Sequence, residues 1–187
     1  MNREHKSPDD YIDSSTEESI NTTVLLIEHI RGLNDQHHSN QEPLVQPVIT
    51  PRFAISCTPD LLFRLGKLAD SDHSLRIQTH ISENKAEVVE TLKLFPEAES
   101  YANVYEIFGL LRHNTILAHA VHLTEDEVDL IKSKGAGISH CPTSNFNLNS
   151  GIAPIGYYLD KGVKVGLLNN TFRLIYIYSF SLFLRLD

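Results

Sequence analysis

Only two cysteines occur in the chain, Cys57 and Cys141. They lie far apart and in no zinc-finger or redox spacing, so neither device is built from them, and the composition fits a reducing compartment. No long basic run occurs, and the formal net charge is −8. That argues against a nucleic-acid-binding surface and for a soluble, acidic protein. The N-terminus, "MNREHKSPDDYIDSSTEES", is polar and acidic. It has the character of neither a secretory signal nor an Arg-rich transit peptide, and a cytoplasmic location is expected. The sequons at Asn21 and Asn169 are read as chance matches. No glycine-rich phosphate loop of the GxGxxG or GxxxxGK type is present, so doubly wound nucleotide binding has no support. The most apolar stretch, "FRLIYIYSFSLFLRL", covers residues 172–186 and contains Arg173 and Arg185. A membrane-spanning helix needs about 20 apolar residues, so this one is too short.

What is present is an alternation. Residues 16–33 carry Ile20, Val24, Ile27 and Ile30 at helical spacing, and Gly32 with the polar run after it predicts the helix end. "LVQPVITPRF", 44–53, is predicted as a strand. A helix follows with Thr58 as N-cap and Pro59 at its first position. "LRIQTHI", 75–81, is a strand, and 82–95 a helix that Ser82 could cap. Residues 100–111 form a further predicted helix. "NTILAHA" is a strand, and 123–135 a helix capped by Thr124. "AGISHC" is a strand, "PTSNFNLNSG" a polar loop, 152–160 a short helix and "VKVGL" a strand. Five strands alternating with helices imply an α/β fold with a parallel sheet. The 41% apolar content is enough for one core.

The chemically capable residues fall at strand ends. Arg52, His80, His119 and His140 each finish one strand. In a parallel βα sheet these ends face one way, and in a βα barrel that is where an active site sits. A single histidine there could be a packed rim residue. Three in register, with Arg52 and with Glu83 one turn beyond His80, point to a shared pocket. Glu83 could equally be an acidic residue favouring a helix dipole. If His80 binds zinc, however, the metal brings the pKa of its water to about 7, and a nearby carboxylate can take that proton. Of the ten histidines, His5, His29, His37, His38 and His73 lie in polar or helical surroundings and are given no role.

"ITPRF", "QTHISENKAEV", "ILAHAVHLTEDEV" and "ISHCPTSNFNLNSG", with "STEESI" near the N-terminus, resemble the successive motifs of the guanine deaminase family. This family belongs to the metal-dependent amidohydrolase superfamily. The resemblance implies a partial (β/α)8 TIM-type barrel, missing the first and last strands, over residues 1–167. It implies hydrolytic loss of ammonia from guanine, giving xanthine, with one Zn2+ per site. His80 matches a zinc ligand. Glu83 matches the proton shuttle between the metal-bound water and the purine ring. His119 matches the strand-end histidine that contacts the metal or its water. Arg52 and Phe53 match a substrate-binding pair, and His80 and Glu83 also face the substrate. The guanidinium offers a fork of donors that lysine lacks. His140 and Cys141 match a motif without an assigned role, with Cys141 read as a packing thiol. Asn145 is open between shaping the pocket and forming a turn. The partner is guanine, with no nucleic acid or membrane, and a homodimer is implied for the full-length family.

Two departures limit the resemblance. The family's HxH, which supplies two zinc ligands, occurs nowhere in this sequence. Where the family reads "VKVGLGTD" with a liganding Asp, this chain reads "VKVGLLNNTF", with Asn170 in that place. Residues 168–187 are therefore expected to be a non-family hydrophobic tail, from a retained intron or a truncated reading frame. His80 and His119 alone would hold zinc weakly, so the isolated chain is expected to be an inactive, aggregation-prone fragment. Competing readings are a non-catalytic product that associates with a full-length subunit, and an amidohydrolase acting on another heterocycle. A cytidine-deaminase-type site is rejected, because it needs HxE and PCxxC.

Overall fold

The computed structural model describes residues 1–3, 9–36 and 45–167. The expected tail, Asn170, His5, His37 and His38 lie outside these residues. Among the described residues the α-helices and strands follow in chain order: α1 (Thr16–Gln36), β1 (Val48–Ile49), α2 (Pro59–Ser71), β2 (Arg76–Ile81), α3 (Lys85–Leu94), α4 (Tyr101–Ile107), β3 (Thr115–His119), α5 (Glu125–Ser133), β4 (Gly137–His140), α6 (Pro142–Asn147), α7 (Ile155–Asp160) and β5 (Lys164–Leu167). The strands form one sheet in the order β1-β2-β3-β4-β5, every pair parallel. This is the βα series expected, and it amounts to part of a barrel wall.

Side chains alternate across β2. Ile77, Thr79 and Ile81 are buried, whereas Arg76 is exposed and Gln78 and His80 are only partly covered. Ile77 and Ile81, with Leu117 and Ile138 from the neighbouring strands, join the helix residues Leu61, Leu62, Leu65, Tyr101, Tyr105 and Val128 in one core. Burying a side chain of this size is worth about 1.5–3 kcal/mol.

The helix starts follow local chemistry. Thr58 accepts the Leu61 N–H (3.3 Å), with Pro59 at the first position. Thr124 and Glu127 form a reciprocal capping box on α5. At α3 the cap is Asn84, again boxed with Glu87, and not Ser82. Ser82 sits two residues earlier with φ +49, and its carbonyl accepts the N–H groups of Val121 and His122 (3.1 Å each). It ties the exit of β2 to the exit of β3, so the helix begins only after it.

Other boundaries also differ from expectation. The predicted strand 44–53 contracts to Val48–Ile49 because Pro47 and Pro51 have no N–H for the ladder. Helix α1 runs through Gly32 to Gln36; nothing crowds that glycine, and one exposed interior glycine costs about 1 kcal/mol without ending a helix. The predicted helix 100–111 stops at Ile107, since Gly109 takes φ +69 and turns the chain. Within the polar loop after β4 stands the short helix α6, with Pro142 at its first position. Among the described residues no helix is long and apolar enough to cross a membrane.

Candidate active site

Strands β2 and β3 place the two central histidines on neighbouring strand ends. The register pairs His80 with Ala118 and Ile81 with His119. A regular β3 would therefore send His119 to the helix-covered face, alongside Ile81. Instead His119 has φ +75 and Ala120 φ +50. This left-handed backbone breaks the alternation, and the His119 ring stacks on His80 with centroids 5.0 Å apart and planes at 25°. Such conformations cost about 1–3 kcal/mol in a non-glycine residue and concentrate at functional sites.

The hydrogen bonds fix how each ring is presented. His80 Nδ1 lies 2.6 Å from the carbonyl of Arg52. A carbonyl only accepts, so Nδ1 carries the hydrogen and Nε2 keeps its lone pair. His119 Nδ1 lies 2.8 Å from Asn145 Oδ1, and its ring is nearly fully buried. The Phe53 ring is 5.9 Å from His80, and the Arg52 guanidinium lies over Phe53 at 5.1 Å. Arg52, Phe53, His80 and His119 thus form one continuous row. Glu83 flanks it, with Oε1 3.5 Å from His119 Nδ1. That oxygen is shut off from solvent and has no hydrogen-bond partner.

All five candidate residues are therefore brought together. His140 ends β4 as expected, but its ring is not stacked on the pair, and its Nδ1 is buried without a partner. Burial lowers its pKa. Cys141 is fully buried, its thiol donates to the Ser139 carbonyl at 3.3 Å, and burial raises its pKa. It is a packing thiol.

Burial, with the neighbouring His119 and the Arg52 cation adding to it, pushes the His80 pKa down to about 4. The folded chain thus disfavours the imidazolium that the unfolded chain forms below about pH 6.5. This contribution is absent as a penalty above that pH. As pH falls from about 6.5 towards about 4, the unfolded state binds the extra proton and stability is lost, by at most about 3 kcal/mol. Urea unfolding of the metal-free chain across this window should show the loss, and His80→Gln should reduce it, leaving the smaller loss that buried His140 adds in the same direction. An equal slope in the variant would assign the effect elsewhere.

Asn145, open in the sequence between pocket and turn, lies against the His119 ring. A buried ladder behind the β2 end had no signal in the sequence. Glu87 Oε2 accepts the backbone N–H of Glu83 (2.9 Å), and Glu87 Oε1 accepts the Tyr101 hydroxyl (2.8 Å). Tyr101 stacks on Tyr105 at 5.5 Å. The Tyr105 hydroxyl donates to the His80 carbonyl (2.6 Å) and accepts from the Ala54 N–H (3.1 Å) and the Thr79 hydroxyl (2.9 Å). This one phenol ties the Arg52–Phe53 segment to the His80–Glu83 turn. Tyr105→Phe removes the acceptor of the Ala54 N–H and the donor to the His80 carbonyl, while the Thr79 hydroxyl keeps the Arg52 carbonyl at 3.4 Å; about 1–3 kcal/mol is lost for a stranded buried polar group. We expect a destabilisation of at least about 2 kcal/mol in urea unfolding. An unchanged midpoint would show that the phenol does not clamp the two segments.

A separate depression of about 460 Å³, lined by α3, α4 and α5, includes none of the five candidate residues. Two of its carboxylates are engaged: Glu106 with Lys134 (2.8 Å), and Glu127 with the N–H groups of Thr124 and Ala102 (2.9 and 3.0 Å).

The donor set fits the expected zinc in type but not in number. Each imidazole has an oxygen within hydrogen-bond distance of Nδ1, the Arg52 carbonyl or Asn145 Oδ1, as metal-binding histidines that ligate through Nε2 usually do. Catalytic zinc takes three protein ligands. Among the described residues no group of three or more His, Cys, Asp or Glu is arranged to hold a metal ion.

The sequence pattern of the amidohydrolase family matches residues 5–169. The probable guanine deaminase of Schizosaccharomyces pombe is 48% identical over 166 residues, which are 89% of this chain and 30% of that protein. The crystal structure of guanine deaminase from C. acetobutylicum, with bound guanine in the active site, superposes with a TM-score of 0.76 at 36% identity over 89% of this chain and 38% of that one. The E. coli guanine deaminase structure gives 0.78 at 33% identity, over 89% and 36%. The chain thus spans between 30% and 38% of the length of these relatives.

Proposed function

The chain belongs to the amidohydrolase family, and from that premise we propose that its site serves the hydrolytic deamination of guanine to xanthine and ammonia. The observation that carries this reading is the buried, unpartnered Glu83 Oε1 beside the stacked pair His80–His119. A carboxylate oxygen with no partner is poised to accept and return a proton. In the reaction, water adds its oxygen at C2 of guanine, the C2–N bond breaks, and the amino group leaves as ammonia. Glu83 takes one proton from the attacking water and delivers it to the ring nitrogen, then takes the second from the added hydroxyl and delivers it to the leaving amino nitrogen, so that C2 is left as a carbonyl. Arg52 donates to acceptor atoms of the purine, and Phe53 offers it a ring face. His80 and His119 would hold zinc through Nε2, and zinc when bound supplies a water acidic enough to attack near neutral pH.

Two imidazoles are one ligand short of a catalytic zinc site. We therefore expect weak zinc binding and turnover well below that of the full-length relatives. The test is ammonia release from guanine with zinc added, run beside Glu83→Gln. Turnover equal to a full-length relative would overturn the expectation of weak zinc. Zinc-stimulated turnover untouched by Glu83→Gln would overturn the site. Free, buried Cys57 and Cys141 support the reading of a reducing, cytoplasmic setting.

A further inference from the structure

Two oxygen acceptors stand beside one ring nitrogen. Asn145 Oδ1 is 2.8 Å from His119 Nδ1, and Glu83 Oε1 is 3.5 Å from the same atom. Only the first lies within hydrogen-bond distance. Both side chains are held in place. The Asn145 N–H donates to the Cys141 carbonyl (3.0 Å), and its own carbonyl accepts the Ser150 N–H (2.8 Å). Asn145 is 1% exposed, so its amide has no solvent to turn into. Glu83 is anchored through its backbone N–H by Glu87. A hydrogen on Nδ1 has its acceptor in Asn145 Oδ1 and points no lone pair at the Glu83 oxygen, whereas a bare Nδ1 would face the lone pairs of that oxygen. The arrangement therefore favours the amide oxygen on the ring and the proton on Nδ1, with the Asn145 amide nitrogen buried and unpartnered.

We infer that Asn145 is a positioning residue: it takes the Nδ1 hydrogen of His119 and so keeps Glu83 unpaired. The inference rests on the reading of Glu83 as the proton-transferring group. A ring N–H given to the amide is not available to the carboxylate. Without Asn145, Glu83 Oε1 is the nearest remaining acceptor, and an ionised oxygen attracts an N–H more strongly than a neutral amide does. His119 and Glu83 would then close into a charge-assisted pair. The carboxylate would hold the imidazole in place of accepting a proton from water. The amide of Asn145 competes for one hydrogen and leaves the carboxylate oxygen unpaired.

The test needs neither metal nor turnover. Two-bond 1H–15N correlations of the 15N-labelled full chain read the tautomer of each imidazole, and His119→Gln assigns the signal. The wild-type chain should show His119 protonated at Nδ1, and Glu83→Gln should leave that signal in place. Asn145→Ala should move the Nδ1 proton downfield as it passes to the carboxylate. The double variant should cancel that movement. An Nε2-protonated His119 in the wild type would overturn the inference, as would an Nδ1 signal altered by Glu83→Gln. A signal indifferent to Asn145→Ala would do the same. If Asn145→Ala does not fold, the comparison of wild type with Glu83→Gln still decides which oxygen is the partner. Failure of the guanine reading shows separately, as absence of Glu83-dependent ammonia release from a chain whose tautomer pattern is as expected.

Discussion

Whatever ammonia the chain releases from guanine should fall by about 10²–10⁴-fold when Glu83 becomes glutamine, the range a positioned acid–base group contributes. Each tenfold is about 1.4 kcal/mol of barrier, so the carboxylate is asked for roughly 3–5 kcal/mol. Glutamine keeps the shape and one acceptor oxygen but cannot carry the proton. The structure says why the loss should be kinetic and not structural. The bond that anchors residue 83 is its backbone N–H to Glu87, which the substitution leaves alone. The side-chain oxygen lost has no partner to abandon. Stability should therefore change little, within about 0.5 kcal/mol. The rate should fall in kcat with KM nearly held, because the missing interaction belongs to the transition state. A loss smaller than tenfold would mean that Glu83 is only the acidic first-turn neighbour of a helix.

The strand ends were legible because polar residues there interrupt apolar runs, and the parallel topology then fixes which way they face. His80 at the end of "RIQTH" needed no more than that. The contact between His80 and His119 was not legible. Period-two alternation and the observed register put their side chains out of phase, and the left-handed turn at His119 that reverses this leaves no mark in "ILAHAV". The caps show the same division. Thr58 and Thr124 stand directly before their helices, and local chemistry decides. Ser82 and Asn84 are both competent caps, and the choice falls to Asn84 because the Ser82 carbonyl is claimed by the exit of β3. Asn145 and the Glu87–Tyr101–Tyr105 ladder act across separations of 14 to 26 residues, through packing that no spacing encodes. The site's chemical types were readable, and its tautomers and clamps were not.

Gly66→Ala should be the most damaging single methyl in the fold. In an exposed helix the change would stabilise α2 by about 1 kcal/mol through propensity alone. Here a Cβ at position 66 would sit 1.9 Å from the carbonyl oxygen of Phe108 and 3.1 Å from its carbon. Cβ atoms essentially never approach a neighbour within 3.0 Å, so the two segments must part by at least the difference, 3.0 − 1.9 = 1.1 Å. Neither side yields cheaply. The turn after α4 is held by the Gly109 N–H on Glu106 (2.9 Å) and the Leu110 N–H on Tyr105 (2.7 Å). The Arg112 guanidinium binds that turn to α2 through the carbonyls of Gly66 and Ala69 (3.3 Å each) and the Asp70 carboxylate (2.6 Å). Overpacking against backbone outweighs the propensity gain, and we expect a net loss of about 3 kcal/mol or more in urea unfolding. The damage should reach the site, since Tyr105 lies on α4 and its hydroxyl holds the His80 carbonyl. A variant as stable as the parent chain would show that α2 does not rest on the Phe108 turn.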